Sequence, residues 1–322
     1  MLTADDVHAA AMRLADTLPT TPLIPARQLS ERLQRPVWLK LESLQTTGSF
    51  KPRGALNWLL SASDAELRPG LGAVSAGNHA LGLAWAARRR QVPVTIVMPE
   101  NASPTKVRNS RALGAEVILH GDINAAWERM HRLVKQQGLT LVHPYDDERI
   151  IAGQGTVGLE ILAQAPQADT VICPIGGGGL ISGIGLALKA SRPGAALIGV
   201  EPQGAASMAH AWSLGGPRRL PSVRSWAKSL AAAEVGQHSY SYCRATTDQL
   251  LQIGDAALQN AVAGLLMDDH IVAEPGGVAG VALLRQMDPG EIPGSGDIVV
   301  VVTGGNADPE ELATSLAHGA EA

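Results

Sequence analysis

From residue 71 onward, short β-rich apolar runs alternate with stretches whose apolar positions recur every three or four residues. The runs 72–75, 92–98, 115–120 and 139–144 are each followed by a helical pattern, over 79–89, 105–113, 125–134 and 153–164. The alternation continues with 169–174 before 180–190, 195–200 before 204–212, and 297–302 before 309–317. Strands this apolar need cover on both faces, so the pattern predicts an α/β fold of mainly parallel sheet clad in helices. No repeat, heptad or low-complexity block interrupts it, and 214–225 is the most loop-like stretch.

Ahead of this alternation, residues 43–60 read SLQTTGSFKPRGALNWLL. Ser49 is a good N-cap, Pro52 is tolerated in a first helical turn, and Ala55, Leu56, Leu59 and Leu60 follow at helical spacing. Lys51 therefore falls in the first turn, where the helix dipole disfavours an ammonium by roughly 0.3–1 kcal/mol and its pKa tends to fall. The position suits either a solvated surface lysine or a reactive amine.

The chain has 322 residues, enough for two domains or one with a substantial insertion. With 45% apolar residues, 17% charged residues and a net charge of −4, it has neither a disordered composition nor the basic excess of a nucleic-acid binder. Phe, Tyr and Trp together make only 3%, too few for a base-stacking platform. Cys173 and Cys243 lie far apart without zinc spacing, which fits a reducing compartment. The first residues carry acids and an interrupted apolar stripe, unlike a signal peptide, and no apolar run reaches membrane-spanning length. A cytoplasmic protein with neither nucleic acid nor membrane as partner is expected.

Ligands gather at the carboxyl ends of parallel strands, and three loops there are rich in glycine. In SAGNHA (75–80), small residues leave backbone N–H groups free at a helix start, which suits a carboxylate or a capped helix equally. In PIGGGGLISG (174–183), four glycines let the backbone wrap an anion at a positive helix end, and a phosphate is the natural ligand. No register of this run satisfies G-x-G-x-x-G, and no Gly-Lys-Ser/Thr follows, so dinucleotide and nucleoside-triphosphate sites both weaken. The third loop, TGGN (303–306), presents the neutral hydroxyl of Thr303; alone it reads as a turn with a helix cap.

Taken in order, TGSFKPRGA, SAGNHA, IAGQGT, GGGGL and TGGN resemble the fold-type II pyridoxal-phosphate enzymes, nearest to the threonine/serine dehydratase (threonine ammonia-lyase) and serine racemase group. The resemblance implies two open, mainly parallel sheets covered by helices, with a small domain (69–145) inserted in a large one (1–68 and 146–322). It implies that Lys51 holds pyridoxal 5′-phosphate as an imine, with Phe50 beside the ring and Asn78 on its 3′-oxygen. Gly176, Gly177, Gly178 and Gly179 would hold the phosphate, and Thr303 would face the pyridine nitrogen. Ser75, Ala76, Gly77, Asn78 and His79 would surround the carboxylate of an amino-acid substrate. The implied reaction is β-elimination from an L-β-hydroxy amino acid such as threonine or serine, giving a 2-oxo acid and ammonia, in a cytoplasmic homodimer. β-Replacement, dehydration of hydroxyaspartate or phenylserine, and a non-catalytic phospholigand-binding protein or nucleotide-dependent oxidoreductase are the alternatives.

Three positions depart from the group's pattern. Lys228 stands where many relatives carry an acid near the substrate's β-hydroxyl; it either accommodates the β-side of the substrate or is an exposed loop lysine. The group's Mg²⁺ or Ca²⁺ site maps onto Glu201, the Ala205 carbonyl and Ser207, the last replacing a second acid, so a weakened site or a solvated Glu201 is expected. Ala76 stands where serine racemases have a second serine, which implies a dehydratase with little racemase activity.

Overall fold

The structure, a computed structural model, describes residues 1–319. Ten strands occur among them: β1 (Leu23–Pro25), β2 (Val37–Leu41), β3 (Leu71–Val74), β4 (Val94–Met98), β5 (Glu116–Leu119), β6 (Thr140–Leu141), β7 (Ala168–Pro174), β8 (Ala196–Pro202), β9 (Gln249–Ile253) and β10 (Asp297–Val302). They form a six-stranded sheet ordered β1-β2-β10-β7-β8-β9 and a four-stranded sheet ordered β5-β4-β3-β6. Every pairing is parallel except β1 with β2.

The central strand β10 shows why its sequence is continuously apolar. Ile298, Val300 and Val302 join one apolar cluster, and Val299 and Val301 join the cluster on the opposite face. Successive side chains point to opposite faces of a strand, so a strand with helices on both sides must be apolar throughout. In the smaller sheet, Ile96 and Met98 face one cluster and Val97 the other. The first of these clusters also takes Ala55, Leu56, Trp58 and Leu59 from the helix Lys51–Ser61, so this packing unit reaches back beyond residue 69.

Strands β1, β2 and β9 are absent from the alternation read in the sequence. β2 carries a fully buried lysine, Lys40, whose ammonium donates to Thr21 O (2.8 Å) and Gln164 Oε1 (2.7 Å) and pairs with Glu160. A charge inside a strand hides it from an apolar-pattern reading.

The segment IAGQGT lies inside the helix Glu148–Gln164 and joins helices. A Cβ on Gly153 would lie 2.6 Å from Arg53 O, in the Lys51–Ser61 helix, and one on Gly155 would lie 2.8 Å from Gly183 O, in the helix Gly179–Ser191. The helix that starts at Lys51 and the helix that follows the glycine loop are thus both seated on one glycine-bearing helix, backbone against backbone. Among the described residues, no helix is long and apolar enough to cross a membrane.

Candidate active site

β10 and β7 are neighbours and parallel, so Thr303 and the glycine loop leave the same edge of the sheet. The helix after β7 packs on one face and Leu312, in the helix after β10, on the other, which makes this edge a switch point where a crevice opens.

Lys51 is the first residue of its helix. Phe50, not Ser49, occupies the N-cap position, in helical conformation, while Ser49 is extended. The expected Ser49 cap is therefore corrected: among the described residues the buried Ser49 Oγ has no partner, because Ser49 is held in a backbone bridge with Gly304. Phe50 N donates to Thr303 O at 3.2 Å, which ties the lysine segment to the end of β10. Lys51 Nζ donates to Pro144 O (2.8 Å) and lies 5.0 Å from the centre of the Phe50 ring. Burial lowers the Lys51 pKa to about 8, against an opposing pull from Glu274.

The four glycines form a cup of unpaired main-chain N–H groups. Gly178 has φ +90° and precedes the helix Gly179–Ser191 without any side-chain cap. No N–H of Gly176, Gly177, Gly178 or Gly179 has an acceptor among the described residues. These glycines are also closely packed: a Cβ on Gly177 would lie 2.2 Å from the Tyr145 ring, and one on Gly178 2.6 Å from Met208 Cε. Tyr145 is anchored by its hydroxyl on Glu234 O (2.8 Å) and meets His143 edge-on, ring centres 4.6 Å apart.

At the end of β3, Ser75 Oγ accepts from Gly77 N (3.2 Å) and Ala80 N (3.3 Å), so this hydroxyl shapes the loop. The N–H groups of Ala76, Asn78 and His79 have no acceptor among the described residues. The His79 ring is held against Val142 O (3.2 Å), and burial and the Lys51 charge lower its pKa to about 3. Its offering to an anion is therefore its main-chain N–H.

Asn78 Nδ2 donates to Glu274 Oε1 at 2.6 Å, and Asn78 Oδ1 accepts from Asn306 Nδ2 at 2.8 Å. Glu274, Asn306 and Tyr145 escaped the sequence reading. An acid before Pro-Gly-Gly and the last residue of TGGN were their only signals. Thr303 Oγ1 is buried, and its one contact, to Gly276 O, is long at 3.5 Å.

Lys228 is 73% exposed at its side chain and its Nζ lies 4.0 Å from Glu311 Oε1. The main chain of Ser229 and Leu230 borders the glycine loop, with Leu230 Cα 3.1 Å and Ser229 O 3.3 Å from where a Gly176 Cβ would stand. Glu201 is fully buried and accepts from Met208 N (2.7 Å) and Ala209 N (2.8 Å), the first turn of the helix Ser207–Leu214. Burial raises its pKa to about 7 despite those bonds. Among the described residues, Ser207 Oγ is buried without a partner, and no group of three His, Cys, Asp or Glu side chains is placed to hold a metal.

Uncapped N–H groups on four glycines, a buried lysine beside an aromatic ring, and the unpartnered Ser49 Oγ are what an anionic, hydrogen-bonding, carbonyl-bearing cofactor would satisfy. Pyridoxal phosphate fits this donor set.

Comparison with known proteins agrees. The family model described as "Pyridoxal-phosphate dependent enzyme" matches residues 14–304. The chain is 38% identical over 320 residues to phenylserine dehydratase of Ralstonia pickettii, covering 98% of each. It is 37% identical over 310 residues to L-threonine ammonia-lyase of Thermotoga maritima, covering 96% of this chain and 76% of the relative. Among solved structures, maize serine racemase superposes with a TM-score of 0.91 at 32% identity, covering 99% of this chain and 98% of the other. The chain belongs to the family of pyridoxal-phosphate-dependent enzymes.

Proposed function

We propose that this enzyme carries out β-elimination on an L-β-hydroxy amino acid, releasing a 2-oxo acid and ammonia. The observation that carries the reading is the Lys51 amine, its pKa lowered to about 8, on the edge that bears the glycine cup and the Thr303 hydroxyl. Pyridoxal phosphate, when bound, supplies a conjugated acceptor for the electrons of the substrate's Cα–H bond. Lys51 and Phe50 would flank its ring, the N–H groups of Gly176, Gly177, Gly178 and Gly179 would hold its phosphate, Asn78 would face its 3′-oxygen and Thr303 its ring nitrogen. Main-chain N–H groups of the loop from Ser75 to His79 orient the substrate carboxylate. Lys51, as a neutral amine, takes the α-proton. Thr303 offers a hydroxyl, which cannot hold a pyridine nitrogen protonated as a carboxylate does, and this favours prompt loss of the β-group. The β-hydroxyl leaves as water with a proton, and the freed enamine tautomerises and is hydrolysed to 2-oxo acid and ammonia.

Threonine and serine are the default substrates, in line with the named activity of the Thermotoga maritima relative. A β-aryl substrate is the second reading, favoured by the end-to-end match to phenylserine dehydratase. The reading includes a two-domain plan in which the unit around the four-stranded sheet closes on the site, a homodimeric assembly, and cytoplasmic residence, where the buried thiols of Cys173 and Cys243 stay reduced. At Glu201, Ala205 and Ser207 we assign the carboxylate to capping a helix. One acid, one carbonyl and one hydroxyl suit Mg²⁺ or Ca²⁺ poorly, and no step depends on a cation there.

The test is 2-oxo acid release from threonine, serine, hydroxyaspartate and phenylserine by purified protein whose visible band borohydride fixes onto Lys51. Product formation that requires a second nucleophile would replace elimination with β-replacement. An unchanged melting temperature in millimolar Mg²⁺ or Ca²⁺ is expected, and a clear rise would restore the cation site.

A further inference from the structure

Glu274 is 3% exposed and has no role in the sequence motifs. Its main chain is locked at the end of β10, with N donating to Gly304 O (3.0 Å) and O accepting from Gly277 N (2.8 Å). Oε1 accepts from Asn78 at 2.6 Å, and Oε2, equally buried, has no well-formed hydrogen bond among the described residues, with the Ser229 hydroxyl as the neighbouring donor. A buried carboxyl with one oxygen unmatched is costly to keep unless that oxygen serves the site.

Gly304, which accepts from Glu274 N, is bridged to Ser49, two residues before Lys51, and Glu274 is the one carboxylate, among the described residues, whose field reaches the Lys51 amine. His79 and His143 are held neutral, with pKa values lowered to about 3 and about 4. Lys106, from the helix Pro104–Ala112, acts on Glu274 but has Asp308 as its own partner at 4.0 Å; Glu311, from the last helix, faces Glu274 and Lys228. Burial raises the Glu274 pKa, with Lys106 the foremost charge opposing it, and burial lowers that of Lys51, with Glu274 opposing it.

We propose that Glu274 is a positioning residue for the Lys51 chemistry: its Oε1 fixes the Asn78 amide that faces the cofactor, and its carboxylate sets the proton affinity at Lys51 Nζ. The hydrogen bond and the charge of one side chain thus have separable roles. The proposal rests on the pyridoxal reading of the site.

The separation makes it testable by the pH midpoint of the visible cofactor band in the holoenzyme and by pyridoxal phosphate titration of the apoprotein. Glu274→Gln keeps an acceptor for Asn78 and removes the charge. It should bind the cofactor within a few-fold of wild type while its midpoint falls by about one pH unit. Glu274→Asp keeps the charge and shortens the reach, so most of the midpoint returns while cofactor affinity weakens. Glu274→Ala should lose both; if it fails to fold, the Gln and Asp variants still decide. A Gln variant titrating like wild type overturns the charge role, and an Asp variant binding cofactor like wild type overturns the Asn78 role. A wild-type protein with no visible band sinks the pyridoxal reading itself, an outcome distinct from either.

Discussion

Lys51 Nζ rests on the carbonyl of Pro144, 2.8 Å away, where the chain crosses from β6 to the helix Glu148–Gln164. An amine released from a covalent partner thus has an acceptor waiting, and need not be sought in solvent. Lys51→Ala is expected to leave a folded protein with native far-UV circular dichroism, no borohydride-fixable band, and 2-oxo acid release reduced by ~10³-fold or more. Substantial residual turnover would remove Lys51 from the role of base.

The lowered pKa of that amine gives a pH dependence with a definite sign. Below about 8 the amine is an ammonium and cannot accept the α-proton; above, it is neutral. The kcat for elimination should therefore rise with pH and level off above about 8, near tenfold per unit on the acid side. A flat profile between pH 6 and 9, with a step other than product release shown to limit the rate, would count against burial as the tuning device.

Gly177→Ala places a methyl group against the Tyr145 ring as well as in the cup. Loss of stability of ~1–3 kcal/mol by denaturant melts is expected from that overpacking, together with at least tenfold weaker cofactor retention. Adding Tyr145→Ala should recover the stability and leave retention poor. Recovery of both would show that the tyrosine, rather than room for a phosphate, demands a glycine here.

Racemisation needs proton-handling groups on both faces of Cα, and Ala76 offers only a methyl group at the loop after β3. With L-serine as substrate, D-serine should form far more slowly than pyruvate, and Ala76→Ser should raise the D-serine fraction. Comparable D-serine and pyruvate in the parent enzyme would mean another group serves the second face.

Lys228 points to solvent and Glu311, whereas Leu230 touches the glycine loop. Lys228→Asp should leave the ranking of β-hydroxy amino acids unchanged. A reordered ranking in the Asp variant would return the lysine to the β-side of the substrate.

The fold was readable where burial was complete, as in β10, whose unbroken valines could only be a central strand. It was unreadable where pairing overrides pattern: β2 carries Lys40, whose charge is matched by Glu160 from a helix 120 positions away. The anchors of the site were legible through glycine and the oddly placed Lys51, since both are unfavourable choices without a ligand. Glu274 and Tyr145 were not, because an acid before a turn and a tyrosine after a proline are ordinary until the fold sets one against Asn78 and the other over Gly177.

The glycine contacts that seat two helices on the Glu148–Gln164 helix carry a further implication. Where main chain meets main chain, no side chain is available to absorb a change, so the spacing between the Lys51 amine and the glycine cup is fixed by rigid rods in direct touch. A single methyl at Gly153 would act as a shim under the Lys51 helix, moving the amine by a fraction of an ångström. Reaction geometry is sensitive at that scale, so this joint should register in turnover as well as in melting temperature.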